Sequence, residues 1–164
     1  MAFARTPAVE RVLGRMLLKG GLRLAVAESC TGGLIGDRLT DVPGSSRYFV
    51  GGAIVYSNAT KAAVLGVRRE TLRKWGAVSE QTVREMALGV RRLFKAQVGV
   101  AVSGIAGPGG GTRAKPVGLV YVCAIAGKRV MVERHRFRGG RRAVKEQSAG
   151  AALQLCRRVL EGRA

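Results

Sequence analysis

Apolar residues recur at helical spacing over residues 7–19, where Val9, Val12, Leu13, Met16 and Leu17 fall on one face. That spacing predicts an amphipathic helix ended by Gly20-Gly21. Residues 22–27 form a short, nearly continuous apolar run, as a strand buried on both faces would. A second helix is predicted over 31–39 and a second strand over 48–56, with Gly51-Gly52 inside it. Two short helices are expected around 58–64 and 70–75. Ser79 is placed to cap a longer helix in which Val83, Met86, Ala87, Val90, Leu93 and Phe94 keep helical spacing. Residues 97–102 predict a third strand, 118–126 and 130–137 a hairpin about Gly127-Lys128, and 143–160 a closing helix.

Helices and strands alternate through the first two-thirds of the chain, and a hairpin comes late. This order predicts an α/β fold, a three-layer α/β/α sandwich around a mixed, largely parallel sheet. No linker, repeat or low-complexity tract divides the chain, so one domain over 1–164 is expected. In such sheets ligands bind beyond the carboxyl ends of the strands. Two glycine-rich turns fall at such ends, 29–33 and 103–111.

Composition narrows the chemistry. With 47% apolar residues in 164, the chain can bury a core without staples. Arg5, Arg11, Arg15 and Lys19 interrupt the first twenty residues, unlike a signal peptide. No apolar run approaches the roughly 20 residues that span a bilayer. A soluble, cytoplasmic protein with no membrane partner is expected. Cys30, Cys123 and Cys156 are far apart and lack CxxC spacing, which argues against disulfides and a zinc site. His135 is the only histidine, so a Ser-His-Asp triad has little to draw on.

The formal charge is +19, from 29 basic and 10 acidic residues. A polyanion such as nucleic acid would suit this charge. The basic residues are dispersed, however, and only 128–142 is dense in them. Phe137 is the one aromatic there on which a base could stack. Nucleic-acid binding therefore stands as an alternative and is not favoured.

In the first turn, Ser29 ends a strand and Gly32-Gly33 are expected in the first turn of the next helix. Unpaired backbone N–H groups and the positive end of the helix dipole gather there. A serine hydroxyl so placed can attack a carbonyl while N–H groups hold the oxyanion. Alternatively, Ser29 or Thr31 simply caps the helix. A nucleophilic serine needs a base, and with histidine scarce a lysine of lowered pKa is the option. Lys61 follows a strand end through the polar cluster Tyr56-Ser57-Asn58-Ala59-Thr60, although most lysines are solvated surface residues. Tyr56 can donate to substrate, relay a proton, or sit at the rim of a strand. Glu28 can orient Lys61, bind a ribose hydroxyl, or cap the dipole. In the second turn, Ser103, Gly104, Ile105, Ala106 and Gly107 suit close backbone approach to a phosphate or ribose, or a surface loop. Lys115, on the return to the sheet, is a candidate phosphate contact. The turn is not a P-loop, because no Gly-Lys-Ser/Thr ending follows.

Seven blocks in order carry a resemblance: Ala27-Glu28-Ser29-Cys30-Thr31-Gly32-Gly33, Pro43-Gly44-Ser45-Ser46, Tyr56-Ser57-Asn58 with Lys61, Leu65-Gly66-Val67, Gly76-Ala77-Val78-Ser79-Glu80, Ser103-Gly104-Ile105-Ala106-Gly107-Pro108 and Lys115-Pro116-Val117-Gly118. With these the chain resembles the CinA C-terminal domain family, the PncC-like nicotinamide-nucleotide amidases. The resemblance implies hydrolysis of the carboxamide of nicotinamide mononucleotide to nicotinate mononucleotide and ammonia, in pyridine-nucleotide salvage. It implies Ser29 as nucleophile and Lys61 as base, with Tyr56, Thr31, Ser46 and Asn58 in matching motifs. It implies a stand-alone enzyme without the metal-dependent domain of longer members, hence no metal and no cofactor, and by analogy a homodimer. The chain departs from the family at Gly109, where members often carry an acidic residue. Besides the amidase, a nucleic-acid-binding module and a non-catalytic nucleotide sensor remain as alternatives.

Overall fold

The computed structural model describes residues 8–162. Along the chain run α1 (Val9–Gly20), β1 (Leu24–Glu28), α2 (Leu34–Thr40), a 3-10 turn (Ser45–Arg47), β2 (Phe49–Ile54), α3 (Asn58–Leu65), α4 (Arg69–Trp75), α5 (Glu80–Phe94), β3 (Val98–Gly104), β4 (Leu119–Ala126), β5 (Arg129–Arg136) and α6 (Arg141–Glu161). Pro7, read as the start of the first helix, and Arg5 lie outside the described residues.

The five strands form one mixed sheet in the order β2-β1-β3-β4-β5. β2, β1 and β3 are parallel, and β4 and β5 join as the expected antiparallel hairpin. Helices cover both faces. One core joins Leu13 and Leu17 of α1, Ile35 and Leu39 of α2 and Leu153 of α6 to Val26, Val100 and Val122 of the sheet. The other joins Leu65, Leu72, Met86 and Val90 of α3, α4 and α5 to Ala25, Ala27, Ala101 and Cys123. This is the three-layer α/β/α sandwich. β1 shows why its run is apolar without alternation: all five of its residues are buried, because both faces are covered.

The small residues on the second face bring α5 and α3 close to the sheet. A side chain at Gly89 of α5 would place its Cβ 2.1 Å from the Leu65 carbonyl oxygen of α3. Only glycine permits that crossing, and α3 carries Lys61.

Several boundaries differ from the pattern-based expectation. The second helix begins at Leu34, not Thr31, because Gly32 and Gly33 have φ of 63° and 103°. Tyr48 and Tyr56 both fall outside β2. β3 continues through Ser103 and Gly104, held opposite Tyr121 and Val120, so these two are strand and not turn residues. The last helix starts two residues early, at Arg141.

Candidate active site

Alternation along β1 sends Leu24, Val26 and Glu28 to the α2 side and the next residue, Ser29, to the α3 side. Ser29 still belongs to the sheet, since its N–H donates to the Val102 carbonyl of β3 at 3.1 Å. Just past the end of β2, the Val55 N–H donates to the Glu28 carbonyl at 2.8 Å, and the chain then turns into α3. Ser57 starts that helix with a reciprocal capping box to Thr60. Lys61 follows one turn later and points back under β2.

The Lys61 amine lies 3.0 Å from the Ser29 hydroxyl oxygen, 2.9 Å from the Val55 carbonyl and 3.4 Å from the Tyr56 carbonyl. Lys61 is 1% exposed and Ser29 7% exposed. Burial lowers the Lys61 pKa from its ordinary value, which favours the neutral amine that a base must be. The same burial raises the neighbouring Cys30 thiol to about 11 and keeps it protonated.

Glu28 takes the capping option among the three read from sequence. Its buried carboxylate accepts from the Thr31 hydroxyl at 2.6 Å and from the N–H groups of Gly33, Ile35 and Gly36 at 3.0, 3.1 and 2.8 Å. With four internal donors it is spent on the start of α2, and its side chain leaves on the opposite face from Lys61. Thr31, fully buried, serves by orienting that carboxylate and does not cap the helix itself. Gly32 donates to the Ser29 carbonyl, whereas the N–H groups of Cys30 and Thr31 meet no oxygen acceptor among the described residues. Those two amides directly follow the serine, where donors to an oxyanion are needed.

The second loop lies alongside. β1 and β3 pair Glu28 with Val102, so Ser103 is the neighbour of Ser29. The Ser103 hydroxyl is used internally, donating to the Ala77 carbonyl at 2.8 Å. Gly104 packs against Val120, Ile105 bonds to Leu119 and Gly118, and Ala106 is buried. These residues position the loop, and Gly107 forms its inner edge. The Lys115 amine donates to the Trp75 carbonyl.

Arg141, the first residue of α6, escaped notice among 29 basic residues. Its guanidinium donates to the Tyr56 hydroxyl at 2.7 Å and to the Gly107 carbonyl at 2.8 Å. It therefore ties the polar cluster after β2 to the loop after β3. One turn further along α6, the Lys145 amine stands 3.7 Å from where a side chain on Gly32 would begin. Arg141 and Lys145 thus bring positive charge to the rim of the serine turn.

Two residues named from sequence do not join this centre. Ser46 sits exposed in the 3-10 turn before β2. Because β2 runs parallel to β1, that turn lies at the opposite end of the sheet from Ser29. Asn58 opens α3 on its outer side and lines a hollow of about 520 Å³ with Arg69 and Leu72. Among the described residues no group of three or more His, Cys, Asp or Glu side chains could hold a metal, and no helix is long and apolar enough to cross a membrane.

Known proteins resemble this chain in sequence and fold. The CinA C-terminal domain family matches residues 6–160. The chain is 49% identical over 155 residues to a putative competence-damage inducible protein of Desulforudis audaxviator, covering 94% of this chain and 38% of that protein. A CinA-like protein of Thermotoga neapolitana is 46% identical over 155 residues, again 94% of this chain and 38% of the relative. The chain thus spans well under half the length of these curated relatives. Among solved structures, a CinA superfamily protein of Klebsiella pneumoniae superposes with a TM-score of 0.90 at 34% identity, covering 94% of this chain and 96% of the other. A competence/damage inducible protein of Agrobacterium tumefaciens gives 0.86 at 39% identity, with 98% and 99% covered. On fold, motif order and sequence alike, the chain belongs to the CinA C-terminal domain family.

Proposed function

We propose that the protein is a serine-lysine amidohydrolase that cleaves the carboxamide of nicotinamide mononucleotide. The observation that carries this reading is the buried contact of 3.0 Å between the Lys61 amine and the Ser29 hydroxyl. An exposed lysine would be charged and useless as a base, whereas one removed from water and held on a serine suits the task.

In this reaction neutral Lys61 takes the Ser29 proton as the serine oxygen attacks the carboxamide carbon. The oxyanion is met by the N–H groups of Cys30 and Thr31. Collapse breaks the C–N bond, and Lys61 returns the proton to the departing nitrogen, which leaves as ammonia. Water, deprotonated by Lys61, then attacks the serine ester. Nicotinate mononucleotide departs and the serine is restored. Arg141 and Lys145 supply the charge that the 5′-phosphate needs. The test is ammonia release from nicotinamide mononucleotide by the purified protein, with Ser29→Ala as control. Equal release by the control, or none by the wild type, rejects the proposal.

A further inference from the structure

The sheet ends on one side at β5, which pairs with β4 and leaves its other edge open. Along it, Arg134, Arg136 and Arg138 are all exposed. Alternation places Arg134 and Arg136 on one face of β5 at a repeat of about 6.7 Å, and Arg138 follows two residues past the strand. Their guanidinium groups make no hydrogen bond or ion pair among the described residues. The one carboxylate of the strand, Glu133, alternates to the other side and is held by Arg158 and His135. At the end of the row Arg136 and Arg138 flank a hollow of about 560 Å³, with Phe137 and Val117 in its lining. The Phe137 ring itself alternates to the side of Glu133 and His135, stacking on His135 at 4.9 Å and packing against the core.

We propose that this edge is a second binding site, for single-stranded nucleic acid. The row is extended, unpaired with acid and spaced like the phosphates of a stretched strand. Guanidinium forks suit phosphodiesters. β3 and β4 separate β5 from the Ser29 strand, and the candidate phosphate contacts Arg141 and Lys145 belong to α6. The competing explanation is that edge arginines merely prevent sheets from associating edge to edge.

The test is fluorescence anisotropy of a labelled mixed-sequence single-stranded DNA 20-mer with the full chain across a salt series. Binding should weaken with salt. The variant Arg134→Gln/Arg136→Gln/Arg138→Gln should bind at least tenfold more weakly, with a log–log salt slope flatter by about 2, at roughly 0.7 per phosphate contact. A control with Arg11→Gln/Arg15→Gln/Arg73→Gln should keep the wild-type slope. Ser29→Ala should bind like wild type, so this proposal and the amidase proposal fail separately. No binding, equal loss in the control, tighter binding of the matching duplex, or equal binding to phosphatidylserine vesicles would each overturn it.

Discussion

The Lys61 amine reaches the Ser29 hydroxyl past the end of β2, from 32 positions further along the sequence. The contact exists because β1 and β2 are parallel neighbours and α3 turns back beneath their ends. Removing either group should end amide hydrolysis while leaving the fold in place. Ser29→Ala and Lys61→Met are each expected to lower kcat by about a thousandfold or more, as for other paired nucleophiles and bases. Steady-state ammonia release with circular dichroism in parallel checks both statements.

The lowered Lys61 pKa has a sign that can be measured. Activity should rise with pH as the amine loses its proton, with a midpoint below the ordinary lysine value of about 10.5. Stability carries the same imprint. Between the folded pKa and 10.5 the unfolded chain binds more protons at this lysine, so falling pH there costs stability. Wild type should therefore gain on Lys61→Met as pH rises towards 10.5, read as the difference of their Tm values at each pH. A difference independent of pH would refute the shift.

Glu28 is predicted to matter through the turn it shapes. Glu28→Gln cannot accept from all four donors and should cost about 1–3 kcal/mol, measured by urea unfolding. It should also lower kcat more than it raises KM, since the Cys30 and Thr31 amides shift with the turn.

Arg141 separates recognition from chemistry. Arg141→Met should raise KM for nicotinamide mononucleotide by about 10- to 100-fold, the worth of one charged hydrogen-bonded contact. It should leave hydrolysis of the dephosphorylated nucleoside unchanged. Equal effects on the two substrates would place the phosphate elsewhere.

Gly89→Ala tests the scaffold. The added methyl meets the Leu65 carbonyl at 2.1 Å, and neither helix has a flexible tip there to yield. A loss of about 1–3 kcal/mol is expected, with a drop in kcat as α3 moves Lys61 away from Ser29.

The outline of the site was readable before the structure, and its supports were not. Ser29 and Lys61 announce themselves as polar residues just past strand ends, and scarcity of histidine points from one to the other. The role of Glu28 depends on side-chain direction at the last residue of a fully buried strand, where no alternation of polarity marks the faces. The delayed start of α2 comes from two glycines at positive φ, whose torsion angles composition does not reveal. Arg141 and Lys145 were hidden by abundance, since one functional guanidinium looks like every other in so basic a chain. Ser46 misled because a motif's place in order says nothing about which end of the sheet it reaches.

The Lys61 amine has three oxygen neighbours, as many as an ammonium has hydrogens, and the one at 3.4 Å is the most loosely held. Losing a proton therefore need not move any heavy atom. The link to Ser29 simply changes polarity, with the hydroxyl giving where it had received. Resting and reactive forms are then two orientations of one hydrogen in a fixed frame, and little reorganisation accompanies the step that arms the serine.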